Sequence, residues 1–251
     1  MTVSDRLALA LFAAVLLSVA AFAVFRRGRT RDPEVARRGR TPLIGYWLRD
    51  WLMWVIGPAE RALTRANVSP LVFNLAGVAF GMAAGLAYAR GVLAFAGWLV
   101  MLGGVCDVFD GRLARAHGLQ SPRGAFLDST LDRFAEMFAF VGLACYYADR
   151  PWALVATLGA LGGSLLVSYA RARGEVNRVR SPGGVMQRAE RLVVLSIASL
   201  LDPVMTEVFG WRPGALVSML VAGIAILATG TAVYRTAAIA RAIARGGETG
   251  S

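Results

Sequence analysis

Four aspartates near the middle of this chain stand at spacings that can hold divalent metal. Asp107, Asp110, Gly111, Ala114 and Arg115 fall at offsets that a helix presents on one face. Eight residues further on come Gly124, Asp128 and Asp132, with the two aspartates one helical turn apart. Carboxylates that converge in this way repel one another, and on apolar helices they are costly unless paired. Oxygen ligands without histidine or cysteine suit a hard ion, Mg2+ or Mn2+. Two such ions among four carboxylates leave room for the oxygens of a diphosphate, as in two-metal phosphoryl chemistry. Gly111 and Gly124 bring no side chain to this region, so a nucleotide can approach both helices closely. Arg115 can grip phosphate through two parallel hydrogen bonds. The two cysteines, Cys106 and Cys145, show no metal-binding spacing and are read as packing residues.

The elements that carry these residues are membrane helices. Of the 251 residues 57% are hydrophobic, and they cluster in blocks: neither Leu7–Phe25 nor Pro70–Ala89 contains a charge. Each block is long enough to cross roughly 30 Å of hydrocarbon as a helix. Seven spans are expected, near 7–25, 70–89, 92–110, 124–147, 152–172, 190–209 and 214–234. All 27 basic residues are arginines, and with these spans 23 of them fall on one side of the membrane, including the aspartate side. That asymmetry puts the aspartates in the cytoplasm and the N-terminus outside, in the cell (inner or plasma) membrane. The arginines lie between apolar blocks and do not cover a soluble face, which argues against nucleic acid as a partner. The first block has its arginine cluster on its C-terminal side, opposite to a signal peptide, and is read as a retained helix.

The division expected is an extra N-terminal helix with an arginine-rich linker (1–40), an interfacial segment (41–67), a six-span domain (68–240) and a tail (241–251). In the second part Trp47, Trp51 and Trp54 recur at helical spacing beside Leu48, Leu52 and Val55. This reads as an amphipathic helix along the cytoplasmic surface, broken in two by Pro58. In the second span Gly77, Gly81 and Gly85 recur every four residues, which lets a neighbouring helix approach closely.

The run from Asp107 to Asp132, D-x2-D-G-x2-A-R-x8-G-x3-D-x3-D, resembles the signature of the CDP-alcohol phosphotransferases without a mismatch. The resemblance extends from about residue 58 to 240 and leaves the first span and its linker outside. It implies an all-α membrane fold, a six-helix bundle with a polar cavity open to the cytoplasm, often as a homodimer. It also implies two metal ions bound by Asp107, Asp110, Asp128 and Asp132, with Asp132 serving in addition as general base. A CDP-linked donor would lie against Asp107, Gly111, Arg115 and Gly124, with Asn74 near the base; Asn74 stands where threonine is usual.

Two later segments, Ser168–Glu175 and Gly183–Arg191, look like those of bacterial phosphatidylinositol-phosphate synthases. There a basic pocket holds the phosphate of inositol phosphate. The matching positions are Arg171, where lysine is usual, Arg173, Arg191 and Arg235; Gly174 stands where alanine is usual. The expected reaction is therefore transfer from CDP-diacylglycerol to a phosphorylated alcohol, inositol phosphate first, with release of CMP. Glycerol 3-phosphate, or another CDP-alcohol pair, fits the same arginines. A divalent-cation transporter would want its carboxylates near the midplane on broken helices, and these stand at helix ends.

Overall fold

The computed structural model describes residues 2–25, 46–179 and 183–247, and among them every regular element is a helix. In chain order these are α1 (Val3–Phe25), α2 (Tyr46–Arg65), α3 (Pro70–Ala89), α4 (Leu93–Ala116), α5 (Pro122–Tyr146), α6 (Pro151–Val176), α7 (Arg188–Phe209) and α8 (Ala215–Gly247). The arginine linker, the first residues of the expected interfacial segment (41–45) and the tail beyond Gly247 lie outside the described residues.

Six of these helices are long and apolar enough to cross a membrane, so the chain is a multi-pass membrane protein. The seventh expected span is present as α5, whose 25 residues include Arg123, Asp128, Asp132, Arg133 and Glu136. α4 runs on to Ala116 and α8 to Gly247, beyond the apolar blocks that suggested their ends. A helix satisfies its own backbone groups, so it need not stop where hydrocarbon stops.

Proline opens α3, α5 and α6, where its missing N–H removes one of the donors a helix start leaves unpaired. At the other end of α7, Gly210 takes a left-handed conformation with φ 65° and closes the helix. α2 departs from expectation: it is one uninterrupted helix with Pro58 inside it. Gly57 precedes that proline and has no Cβ for the pyrrolidine ring to strike, so the preceding residue stays helical.

α3 packs against α4 and α5, α4 against α7, and α6 against α8. Lipid tails are as apolar as leucine, so close backbone approach and buried hydrogen bonds hold such a bundle. The glycine spacing in α3 is used here. A Cβ on Gly81 would lie 2.6 Å from the Cα of Ala135, and one on Gly142 would overlap the backbone of Gly85. Tyr88 and Ser199, both buried, share a hydrogen bond of 2.7 Å between α3 and α7.

α1 lies against α2, α4 and α7. The indole of Trp98 donates to the Ala8 carbonyl at 3.0 Å. The tryptophan stripe of α2 turns toward α1: Phe22 meets Trp47 edge-on at 5.7 Å and Trp54 at a tilt at 5.6 Å, and Trp51 donates to Ser18 at 3.2 Å. The other side of α2 meets the end of α4, where Arg112 pairs with Glu60 at 2.6 Å.

Candidate active site

The sequence expectation for α4 and α5 is met in outline. The two helices are joined by a five-residue connection (117–121) in which Gly118 takes φ 65°. Such a left-handed turn costs glycine little. Ser121 caps α5 by accepting a hydrogen bond from the amide of Gly124 at 3.0 Å. The reversal sets the last turns of α4 beside the first turns of α5.

There, carboxylate oxygens of Asp107, Asp110 and Asp128 lie within 4.8 Å of one another. Asp110 is buried and Oδ1 of Asp128 is buried without a hydrogen-bond partner. An orphaned carboxylate oxygen in a cluster of carboxylates fits a hard divalent cation, which would supply the missing partner. Asn74 reaches from α3 and donates its amide to Asp110, so this side chain is spent on a carboxylate.

Asp132 stands beside this trio and is held by arginines. A guanidinium nitrogen of Arg188 lies 2.7 Å from its Oδ2, and Arg133 approaches at 3.9 Å. The same Arg188 nitrogen is 2.8 Å from Oδ1 of Asp107, so it bridges α4 and α5 from the start of α7. Arg115 is exposed, with its guanidinium over Gly111: a Cβ there would lie 3.3 Å from it. Gly124 is exposed in the first turn of α5.

One helical turn beyond Asp132, the buried Glu136 receives Arg191 and Arg133, the latter at 3.1 Å. Arg133 also donates to Ser168 of α6 at 2.8 Å. Of the four arginines expected to hold an acceptor phosphate, Arg235 is buried and donates to the Val167 carbonyl at 3.2 Å. Arg171 is exposed and pairs with Glu175 at 2.9 Å; Arg173 is exposed near the end of the same helix. The glycine at 174 has a packing reason, since a Cβ would sit 2.9 Å from Cδ1 of Ile239 on α8.

Glu136 and Arg188 are the residues that sequence reasoning left out. The signal for Glu136 was its spacing, since Asp128, Asp132 and Glu136 continue one face four residues at a time. Arg188 stands three residues before Arg191, on the same face of α7.

The aspartate motif and its spacing belong to one known pattern. A family described as CDP-alcohol phosphatidyltransferase matches residues 67–240. The chain belongs to this family. It is accordingly an enzyme, a phosphotransferase of phospholipid synthesis. A phosphatidylinositol phosphate synthase of Streptomyces avermitilis is 37% identical over 181 residues, 70% of this chain and 72% of the relative. A bifunctional IPC transferase and DIPP synthase of Rubrobacter xylanophilus is 42% identical over 146 residues, 57% of this chain but only 32% of that protein. Among solved structures, the phosphatidylinositol phosphate synthase of Mycobacterium tuberculosis with CDP-DAG bound matches with a TM-score of 0.63 and 30% identity. The match covers 72% of this chain and 92% of that one. The same enzyme in complex with manganese and citrate gives a TM-score of 0.64 and covers 87% of that chain.

Proposed function

We propose that this enzyme transfers the phosphatidyl group of CDP-diacylglycerol to a hydroxyl of a phosphorylated alcohol, inositol phosphate before glycerol 3-phosphate, with CMP as the other product. The observation that carries it is the meeting of two unlike sites at one end of the bundle. Acidic side chains of α4 and α5 face a cationic group drawn from α5, α6, α7 and α8.

Asp107, Asp110, Asp128 and Asp132 would hold Mg2+ or Mn2+, two ions in our reading, which when bound supply Lewis-acid stabilisation of the diphosphate charge. Arg115, over Gly111, grips the donor's phosphate. Arg235 and Arg171, with Arg173 and Arg191, hold the acceptor's phosphate and turn its hydroxyl toward Asp132. Asp132 takes the proton from that hydroxyl, the oxygen forms its bond to the phosphorus nearer the lipid, and the bond to CMP breaks. The site faces the cytoplasm, where the arginine-rich loops lie, and the working form is a homodimer.

The test is release of CMP from CDP-diacylglycerol by purified protein with Mg2+ and a panel of acceptors. Inositol phosphate should support the fastest release, glycerol 3-phosphate less, and free inositol or serine little. EDTA should abolish release and Mg2+ or Mn2+ restore it, whereas Ca2+, with its larger and looser coordination, should not. Equal rates with free and phosphorylated inositol would remove the acceptor assignment. Undiminished activity in EDTA would remove the metal assignment.

A further inference from the structure

The position of Arg188 carries a consequence beyond that reaction. One of its terminal nitrogens lies 2.8 Å from Asp107 Oδ1 and 2.7 Å from Asp132 Oδ2, so a single cationic atom joins two carboxylates from different helices. Asp107 also belongs to the trio whose oxygens lie within 4.8 Å of one another. The arginine thus brings positive charge to a carboxylate of that trio, as a divalent metal would. Its side chain is only 17% exposed, and its Nε is buried without a hydrogen-bond partner. A guanidinium with one N–H unused, resting on carboxylates, has donors that suit a larger anion such as phosphate. It is also well anchored in the chain. Arg188 is the first residue of α7, whose start is fixed by the Glu190 carboxylate accepting from the Gln187 amide at 2.8 Å.

We infer that Arg188 competes with divalent metal for Asp107. Divalent metal displaces it from Asp107, and the released guanidinium then takes a substrate phosphate. Metal loading and phosphate binding are coupled through this one side chain. The inference rests on reading Asp107 as a metal ligand. It adds a competition that the metal reading by itself does not contain.

Two consequences are opposite to those of a merely structural arginine. Removing the charge removes the competitor and leaves the carboxylates more negative, so metal should bind more tightly. Mn2+ titrated into the detergent-solubilised full-length protein, with free ion followed by electron paramagnetic resonance, should bind Arg188→Gln about tenfold more tightly than wild type. Arg188→Lys keeps the charge and should stay near the wild type. The second measurement uses the native protein, so it stands even if the glutamine variant does not fold. Phenylglyoxal should modify Arg188, read by peptide mass spectrometry, severalfold faster with Mn2+ than in EDTA, and inorganic phosphate should then protect it. Equal or weaker Mn2+ binding by Arg188→Gln, or modification that Mn2+ does not accelerate, overturns the inference while leaving the metal site intact. Failure of the wild type itself to bind Mn2+ overturns both.

Discussion

Glu136 and Arg191, 55 residues apart in the chain, form a two-pronged ion pair in the interior: Nε to Oε1 at 2.8 Å and the terminal nitrogen to Oε2 at 3.2 Å. Arg191 further donates to the Met186 carbonyl at 3.1 Å and is almost fully enclosed. This arginine therefore ties α5 to α7 before it touches any substrate. Removing one partner of a buried pair leaves an uncompensated charge, at a cost of about 3–5 kcal/mol. Arg191→Ala should lower the thermal midpoint of the solubilised protein, and Glu136→Ala should do so comparably. Arg171→Ala, at an exposed residue, should not. An Arg191→Ala protein with wild-type stability and only a raised KM would make Arg191 a phosphate ligand alone.

Asp132 is the proposed base, and its surroundings make the usual substitution informative. Asp132→Asn keeps the size of the side chain but can neither take the proton nor hold metal as well. Loss of a general base alone costs roughly 10²–10⁴ in rate. Turnover should fall at least that far while the protein stays folded and inserted in the membrane. Near-normal kcat in the variant would exclude Asp132 from the chemistry.

The acceptor's phosphate is tested at Arg235. This residue is 7% exposed within α8 and donates to the Val167 carbonyl of α6 at 3.2 Å. A buried guanidinium at this end of the bundle can give a phosphate a strong charge-assisted hydrogen bond. A charge-assisted hydrogen bond contributes about 1.5–3 kcal/mol, or roughly 10–150-fold in affinity. Arg235→Ala should raise KM for inositol phosphate by a factor in that range and change KM for CDP-diacylglycerol little. A rise confined to the lipid substrate would place Arg235 on the donor side.

How much of this was legible in the sequence depended on the range of each interaction. The aspartate motif repeats at helical spacing, so its shared face could be read from offsets of three and four residues. The glycines of α3 announced a close neighbour in the same way, although not which one; Ala135 and Gly142 of α5 supply it. Pairings between distant segments leave no such trace. Nothing local links Arg188 to Asp107, or Asn74 to Asp110, because the partners meet only once the helices pack. Pro58 misled for the opposite reason. The usual rule counts the lost hydrogen bond and the steric clash, but Gly57 removes part of the clash.

A quite different prediction concerns the far end of the bundle. Asp202, buried on α7, accepts from the amides of Gly214 at 2.6 Å, Leu216 at 3.0 Å and Val217 at 3.3 Å. It thereby caps α8 from another helix, with negative charge at the positive end of the helix dipole. Tyr147 donates to the Gly214 carbonyl at 2.6 Å and Arg150 to that of Pro213 at 2.6 Å, which fixes the turn. Asp202→Ala leaves amides unsatisfied and should cost roughly 3 kcal/mol. The thermal midpoint should drop while metal affinity stays unchanged, because the aspartate cluster lies at the opposite end of α4. A parallel loss of Mn2+ binding at low temperature would show that the two ends are coupled.

The last prediction concerns α1, which lies outside the family match at residues 67–240. It supplies none of the residues in the acidic cluster, so deleting residues 1–40 should leave most of the turnover in detergent. Stability should fall, for identifiable reasons. Trp98 loses the Ala8 carbonyl, and Trp47 and Trp54 lose Phe22. Each aromatic pair contributes about 0.5–1.5 kcal/mol beyond its buried area. The cluster of Phe12, Trp98 and Met101 around Leu200 loses its α1 side. One route could carry the damage to the chemistry. α1 steadies α2, and Glu60 of α2 holds Arg112, two residues after Asp110. If that route matters, Glu60→Gln in the full-length chain should reproduce the loss of activity seen on deletion. Deletion that abolishes activity while Glu60→Gln does not would instead mean that α1 itself contributes to the site.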